Sequence, residues 1–258
     1  MHFTSELRHA GSLVERHFTL GEIPGILWTP ESATAAPVPL ILLGQQGGLE
    51  QMYPRLLPRA KASGREGFAT ATVELPGSGA RPKIAELEQA RNDLREVAMA
   101  GGMPDAELIE RLILPLVNQA VPEWQVTLDA LLELPELRGP VGVSGGVIAI
   151  AVRMARVDKR IEAANLFAGS FVPMEIIEEA REVTIPLHVL LQWDDAGNDR
   201  QMALDLFDAF GSAEKTLAAN MGGHTGVPPW AGEEAGRFFT RHLNRSVGDA
   251  STSQALGT

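Results

Sequence analysis

Short apolar runs of β-type residues alternate with amphipathic helical stretches along most of this chain. That order restricts it to a mostly parallel sheet covered by helices on both faces. The sharpest instance is Gly142-Val143-Ser144-Gly145-Gly146, a G-x-S-x-G motif. Gly139-Pro140-Val141 precedes it and the apolar run Val147-Ile148-Ala149-Ile150-Ala151-Val152 follows. A strand here turns sharply, through small residues, into a helix. In a nucleophile elbow the serine backbone is strained and the following helix packs close, so glycine is needed on both sides. The competing reading is an ordinary strand-to-helix loop with a serine cap.

At 258 residues the chain suits one large α/β domain with a sizeable core, assigned here to residues 1–245. A net charge of −11 argues against a nucleic-acid or anionic-membrane partner. Without cysteine, disulfides, thiolate metal sites and cysteine catalysis are ruled out. Met1 to Arg8 lacks the basic start and apolar core of a signal peptide, and no apolar run reaches the roughly 20 residues of a membrane span. A cytoplasmic protein is the expectation. The small polar residues of 246–258 predict a disordered tail.

Val14 to Trp28 reads as a hairpin turning near Gly21. Val38–Leu43 is a buried strand ending in Gly44-Gln45-Gln46-Gly47-Gly48, followed by a helix over Gln51–Ser63. Further strands are predicted at Phe68–Val73, Ala163–Ala168, Leu187–Leu191 and Lys215–Ala219, with a last helix over Gly232–Leu243. Between Glu74 and Pro140 lie about 65 residues, more than one crossover helix needs. Glu86–Val97, Asp105–Ala120 and Trp124–Leu134 read as three helices within that span. Such an insertion is either a lid drawn from 81–122, lined by Met99, Met103, Ile113 and Leu114, or a helical hairpin packed on the flank.

A serine hydroxyl becomes a nucleophile when an imidazole takes its proton and a carboxylate orients that imidazole. In the chain order Ser, Asp or Glu, His, the histidines at 2, 9 and 17 come too early. His188 lies in an apolar strand and reads as a core histidine; His242, beside Arg241, reads as solvated. His224 remains, in the glycine-rich loop Asn220-Met221-Gly222-Gly223-His224-Thr225-Gly226 after the last strand. For the acid, Gln192-Trp193-Asp194-Asp195-Ala196-Gly197-Asn198-Asp199 follows the penultimate strand, where a carboxylate points into the crevice above the sheet. Asp195 fits best, about four residues beyond the last buried strand position, against Asp194 and Asp199. The backbone N–H groups of Gly145 and Gln46 are the expected oxyanion donors, with Gln45 in reserve. Gly44 to Gly48 lacks the Lys-Ser/Thr ending of a phosphate loop and the G-x-G-x-x-G spacing. Gln45, Met99, Met103 and Trp193 are the candidate substrate-pocket residues.

Taken in order, the Gly44–Gly48 loop, Glu74-Leu75-Pro76-Gly77-Ser78-Gly79, Gly142–Gly146, Gln192–Asp195 and Gly222-Gly223-His224 resemble an α/β-hydrolase. The nearest branch is that of dienelactone-hydrolase-like proteins and small serine esterases. The resemblance spans Val14 to Leu243. It implies the α/β-hydrolase fold, with an eight-stranded sheet, antiparallel at its start and otherwise mostly parallel, helices on both faces and a small helical insertion before the nucleophile strand. It also implies ester hydrolysis through an acyl-enzyme, without metal or cofactor. Three departures stand out. Gln45-Gln46 replaces the usual His-Gly, serine replaces the cysteine of dienelactone hydrolases, and Ala196-Gly197-Asn198 replaces a Val-Pro-containing turn. A small-molecule substrate is the expected partner, with self-association left open.

Overall fold

The computed structural model describes residues 1–10, 13–169 and 171–244, so the predicted tail lies outside the described residues. The chain opens with three antiparallel strands, β1 (His2–His9), β2 (Leu13–Leu20) and β3 (Ile23–Pro30). The β2–β3 turn falls at Gly21, whose φ of +57° suits glycine. Alternating units follow: β4 (Val38–Gly44), α1 (Leu49–Arg65), β5 (Ala69–Val73), α2 (Ala85–Met99), α3 (Ala106–Leu132) and β6 (Leu137–Gly145). Then come α4 (Ile148–Val157), β7 (Ile161–Phe167), α5 (Met174–Ala180), β8 (Leu187–Gln192), α6 (Arg200–Ala209), β9 (Lys215–Asn220) and α7 (Pro229–Leu243).

One sheet runs in the order β1-β2-β3-β5-β4-β6-β7-β8-β9 and is parallel from β5 to β9. It therefore has nine strands where eight were expected. The extra one, β1, escaped notice because it is an edge strand that is mostly exposed, Glu6, Leu7 and Arg8 included. After β4 the chain moves one way to β5 and then returns to β6 on the other side. The crevice beyond Gly44 and Gly145, at the carboxyl ends of β4 and β6, is a topological switch point, where open α/β sheets bind ligands.

The two faces are covered unequally. Residues of α2 to α6 fill the larger core, whereas α1 and α7 pack on the opposite face around Ile41, Leu43, Leu56 and Phe239. The insertion packs into the larger core through Leu87 and the buried residues of α3. Asp105 caps α3 by accepting from Leu108 N at 2.9 Å, and the helix runs unbroken for 27 residues. The sequence reading divided it near Pro122. Proline removes one helical N–H, but the buried stripe Val117, Ala120, Val121, Trp124, Leu128 and Leu131 holds the helix against the sheet on both sides of it. Ile113 is buried in that stripe and Leu114 packs beside it, whereas Met99 and Met103 are exposed, 81% and 56%.

Candidate active site

Each glycine of the G-x-S-x-G motif answers a particular contact. A Cβ on Gly142 would lie 2.7 Å from the Phe239 ring, so α7 approaches the strand only because no side chain is there. Gly145 and Gly146 carry the turn, at φ +66° and +85°, and a Cβ on Gly146 would lie 2.5 Å from Gly44 Cα. The left-handed corner thus falls on these two glycines. Ser144, where the sequence placed the strain, is still paired in β6 with Leu43 and Asn165. The sheet extends one residue past the serine, so the chain turns later than expected. Gly142 and Ser144 share one face of the strand, and that face looks towards α1 and α7.

Ser144 borders a cavity of about 670 Å³ running between α1 and α7 over the sheet, which His224, Phe167, Asn165 and His188 also line. His224 follows β9. Its loop is closed by a Gly226 N–H bond to Gly223 O at 2.8 Å, and a Cβ on Gly222 would lie 2.6 Å from Gly226 O. Gln192, the last residue of β8, donates to Gly223 O at 3.0 Å and ties the loop to the neighbouring strand. The His224 ring stands edge-on to Phe167, centroids 5.3 Å apart.

Three aspartates competed for the place beside this histidine, and geometry separates them. Asp195 Oδ2 lies 2.7 Å from His224 Nδ1, with the carboxylate nearly buried and its Oδ1 accepting from Gly197 N at 3.2 Å. Asp199 caps α6 by accepting from Gln201 and Met202 N–H groups. Asp194 is exposed.

Ser144 and His224 face the same cavity, yet the hydrogen bond on Ser144 Oγ comes from Arg59. Its Nη2 lies 3.2 Å from Oγ and 2.7 Å from the Ser144 carbonyl, and Nη1 lies 3.2 Å from the Gly44 carbonyl. Arg59 was missed, although its spacing was informative. Met52, Leu56, Arg59 and Ser63 recur at helical intervals, which places a guanidinium on the apolar stripe of α1.

The Gly44–Gly48 loop is tied down by side-chain hydrogen bonds. Gln45 is buried; its amide donates to Val73 O at 3.0 Å and accepts from Gly47 N at 2.5 Å. Gln46 is exposed at the cavity edge. Glu74 accepts from Leu49 N at 2.9 Å, anchoring the start of α1 to the loop after β5. Of the candidate pocket residues, Gln45 lines the cavity while Met99, Met103 and Trp193 do not. Trp193 instead carries the Arg200 guanidinium over its ring at 4.2 Å. His188 is buried as expected, but it borders the cavity, and burial holds its pKa below the ordinary value. His242 is buried rather than solvated, because α7 turns it inward against Phe238, with Nε2 3.2 Å from the Glu214 carboxylate. Among the described residues no group of three or more acidic or histidine side chains could hold a metal, and no helix is long and apolar enough to cross a membrane.

A mixed sheet with antiparallel opening strands, a glycine corner after the sixth strand, and an Asp–His pair on the last two loops define the α/β-hydrolase fold, and this chain has it. No family model and no curated protein matches the sequence. Among solved structures it is similar to a PEG-bound, cold-adapted esterase from an Arctic intertidal metagenomic library. That likeness has 26% identity and a TM-score of 0.74, and covers 94% of this chain and 100% of the other. Two more distant likenesses show the fold alone. An acetyl xylan esterase from Paenibacillus sp. R4 has 14% identity and a TM-score of 0.61, covering 93% and 87%. A dienelactone hydrolase from Anabaena variabilis has 18% identity and a TM-score of 0.55, covering 88% and 96%.

Proposed function

We propose that this protein is a serine hydrolase that cleaves a carboxylic ester, lactone or thioester through an acyl-enzyme on Ser144. The observation that carries the reading is the 2.7 Å contact between His224 and Asp195 at the mouth of the cavity that Ser144 lines. Asp195 holds the imidazole with Nδ1–H towards the carboxylate, leaving Nε2 to take the serine proton. Such contacts tighten when substrate binds, so a serine bonded elsewhere in the free protein is compatible with the role. Gly145 and Gln46 N–H groups receive the oxyanion, each contributing about 3 kcal/mol to the transition state. His224 then protonates the leaving alcohol and activates water for deacylation. The cavity accommodates a modest apolar acyl group, and the esterase neighbour at 26% identity supports the same class.

One observation favours a second reading, a non-hydrolytic protein of this fold that binds a ligand in the cavity: Arg59, not His224, holds Ser144 Oγ. A fluorophosphonate probe decides between them, read by intact mass and peptide mapping beside p-nitrophenyl acetate and butyrate hydrolysis. A single Ser144 adduct with loss of turnover supports the hydrolase. Folded protein with neither adduct nor turnover supports the binder.

A further inference from the structure

Arg59 sits midway along α1 with its guanidinium turned onto the sheet. It contacts the two strand ends that flank the switch point, through Gly44 O and Ser144 O, and it also reaches Ser144 Oγ. Burial pulls its pKa down to about 10, so it is still a cation at neutral pH. Among the described residues it has no carboxylate within ion-pair distance, unlike Arg81, Arg153 and Arg160. A half-buried cation without a counter-charge carries part of the cost of leaving water. A strut explains the two carbonyl bonds, but a neutral amide donor would serve there without that cost. Neither the charge nor the bond to the hydroxyl follows from a strut.

We propose that Arg59 is a further catalytic residue, whose guanidinium stabilises the oxyanion that forms beside Ser144 Oγ during attack. This rests on reading Ser144 as the nucleophile. In the addition step the Oγ–carbon bond forms, the hydroxyl proton passes to His224, and the carbonyl π pair becomes an oxyanion two bonds from Oγ. The cation already bonded to Oγ is then within reach of that charge. On collapse the carbonyl re-forms, the bond to the alkoxy oxygen breaks, and His224 returns the proton to the departing alcohol. The late corner at Gly145–Gly146 explains why the cation comes from α1: Ser144, still in the strand, points its hydroxyl towards that helix.

The test compares Arg59→Gln and Arg59→Lys with the wild type on p-nitrophenyl acetate and on a p-nitrophenyl hemisuccinate. Arg59→Gln is expected to lower kcat by about 10²–10³-fold on both esters, with KM within about threefold. Arg59→Lys restores at least about tenfold of that loss, because it keeps the charge but not the fork. The wild type loses kcat as Arg59 deprotonates near pH 10, and Arg59→Gln lacks that limb. Wild-type kcat in Arg59→Gln with a lowered Tm makes the residue a strut and overturns the proposal. So does a rise in KM confined to the hemisuccinate, which makes it a holder of substrate charge. Absence of a fluorophosphonate adduct on wild-type Ser144 removes the nucleophile and the role of Arg59 together. A normal adduct with unchanged Arg59→Gln kinetics overturns the role of Arg59 alone.

Discussion

His224 Nδ1 lies 2.7 Å from Asp195 Oδ2, although the two residues leave different strands and stand 29 positions apart in the chain. The contact exists because β8 and β9 are parallel neighbours, with Gln192 opposite Asn220, so both loops open at the same sheet edge. Trp193 N–H donates to Asn220 O at 2.7 Å and Gln192 to Gly223 O, which fixes one loop against the other.

Asp195→Asn is accordingly expected to lower kcat by about 10³–10⁴-fold, since an amide favours the wrong imidazole tautomer. Asp194→Asn, at an exposed position, should stay within about twofold of wild type. Steady-state kinetics on p-nitrophenyl butyrate read both. Equal losses in the two variants would sink the assignment of Asp195.

Gly146→Ala meets two obstacles at once, a φ of +85° and a Gly44 Cα 2.5 Å from the new methyl. We expect a loss of about 3 kcal/mol in urea unfolding, with activity reduced further because the Gly44–Gln45 backbone must move. Gly169→Ala, where a Cβ meets nothing within 4 Å among the described residues, is the control and should be near neutral.

The helical insertion contributes to the larger core. Trp124→Ala should cost about 3–5 kcal/mol of stability, because the indole is buried in the larger core. Met99→Ser and Met103→Ser, exposed and outside the cavity, should leave kcat/KM within about twofold. A large kinetic effect from either methionine would restore the lid.

Glu15 accepts hydrogen bonds from His9, His17, Trp28 and Tyr53, each 2.7–2.8 Å long, and so joins β2, β3 and α1. Burial works against its ionisation, but the four bonds outweigh burial and hold its pKa below the ordinary glutamate value. Its stabilising contribution is therefore complete above the ordinary carboxylate pKa and is lost as pH falls through the lowered folded value. Glu15→Gln should cost about 2–3 kcal/mol at pH 7 and flatten the loss of stability as pH falls below the ordinary carboxylate range. Urea midpoints at a series of pH values check both.

Much of this arrangement was legible before folding. The strand–corner–helix at Gly142–Gly146 and the strand-end loops are local patterns, and local backbone preference expresses itself over a few residues. The insertion was legible as helical from periodicity, but its place was not: whether Ile113 faces substrate or sheet depends on partners far along the chain. The outcome at Pro122 was likewise decided by the sheet lying beneath both halves of α3.

The sequence by itself determined the alternating architecture, the glycines of the G-x-S-x-G motif and the absence of cysteine chemistry, because each depends on residue identity and near neighbours. Tertiary structure alone decided which aspartate meets His224, how far β6 runs before it turns, and that α1 delivers Arg59 to Ser144 across 85 positions of chain. Those outcomes come from register and helix placement, which the packing of the whole sheet sets and no local stretch encodes.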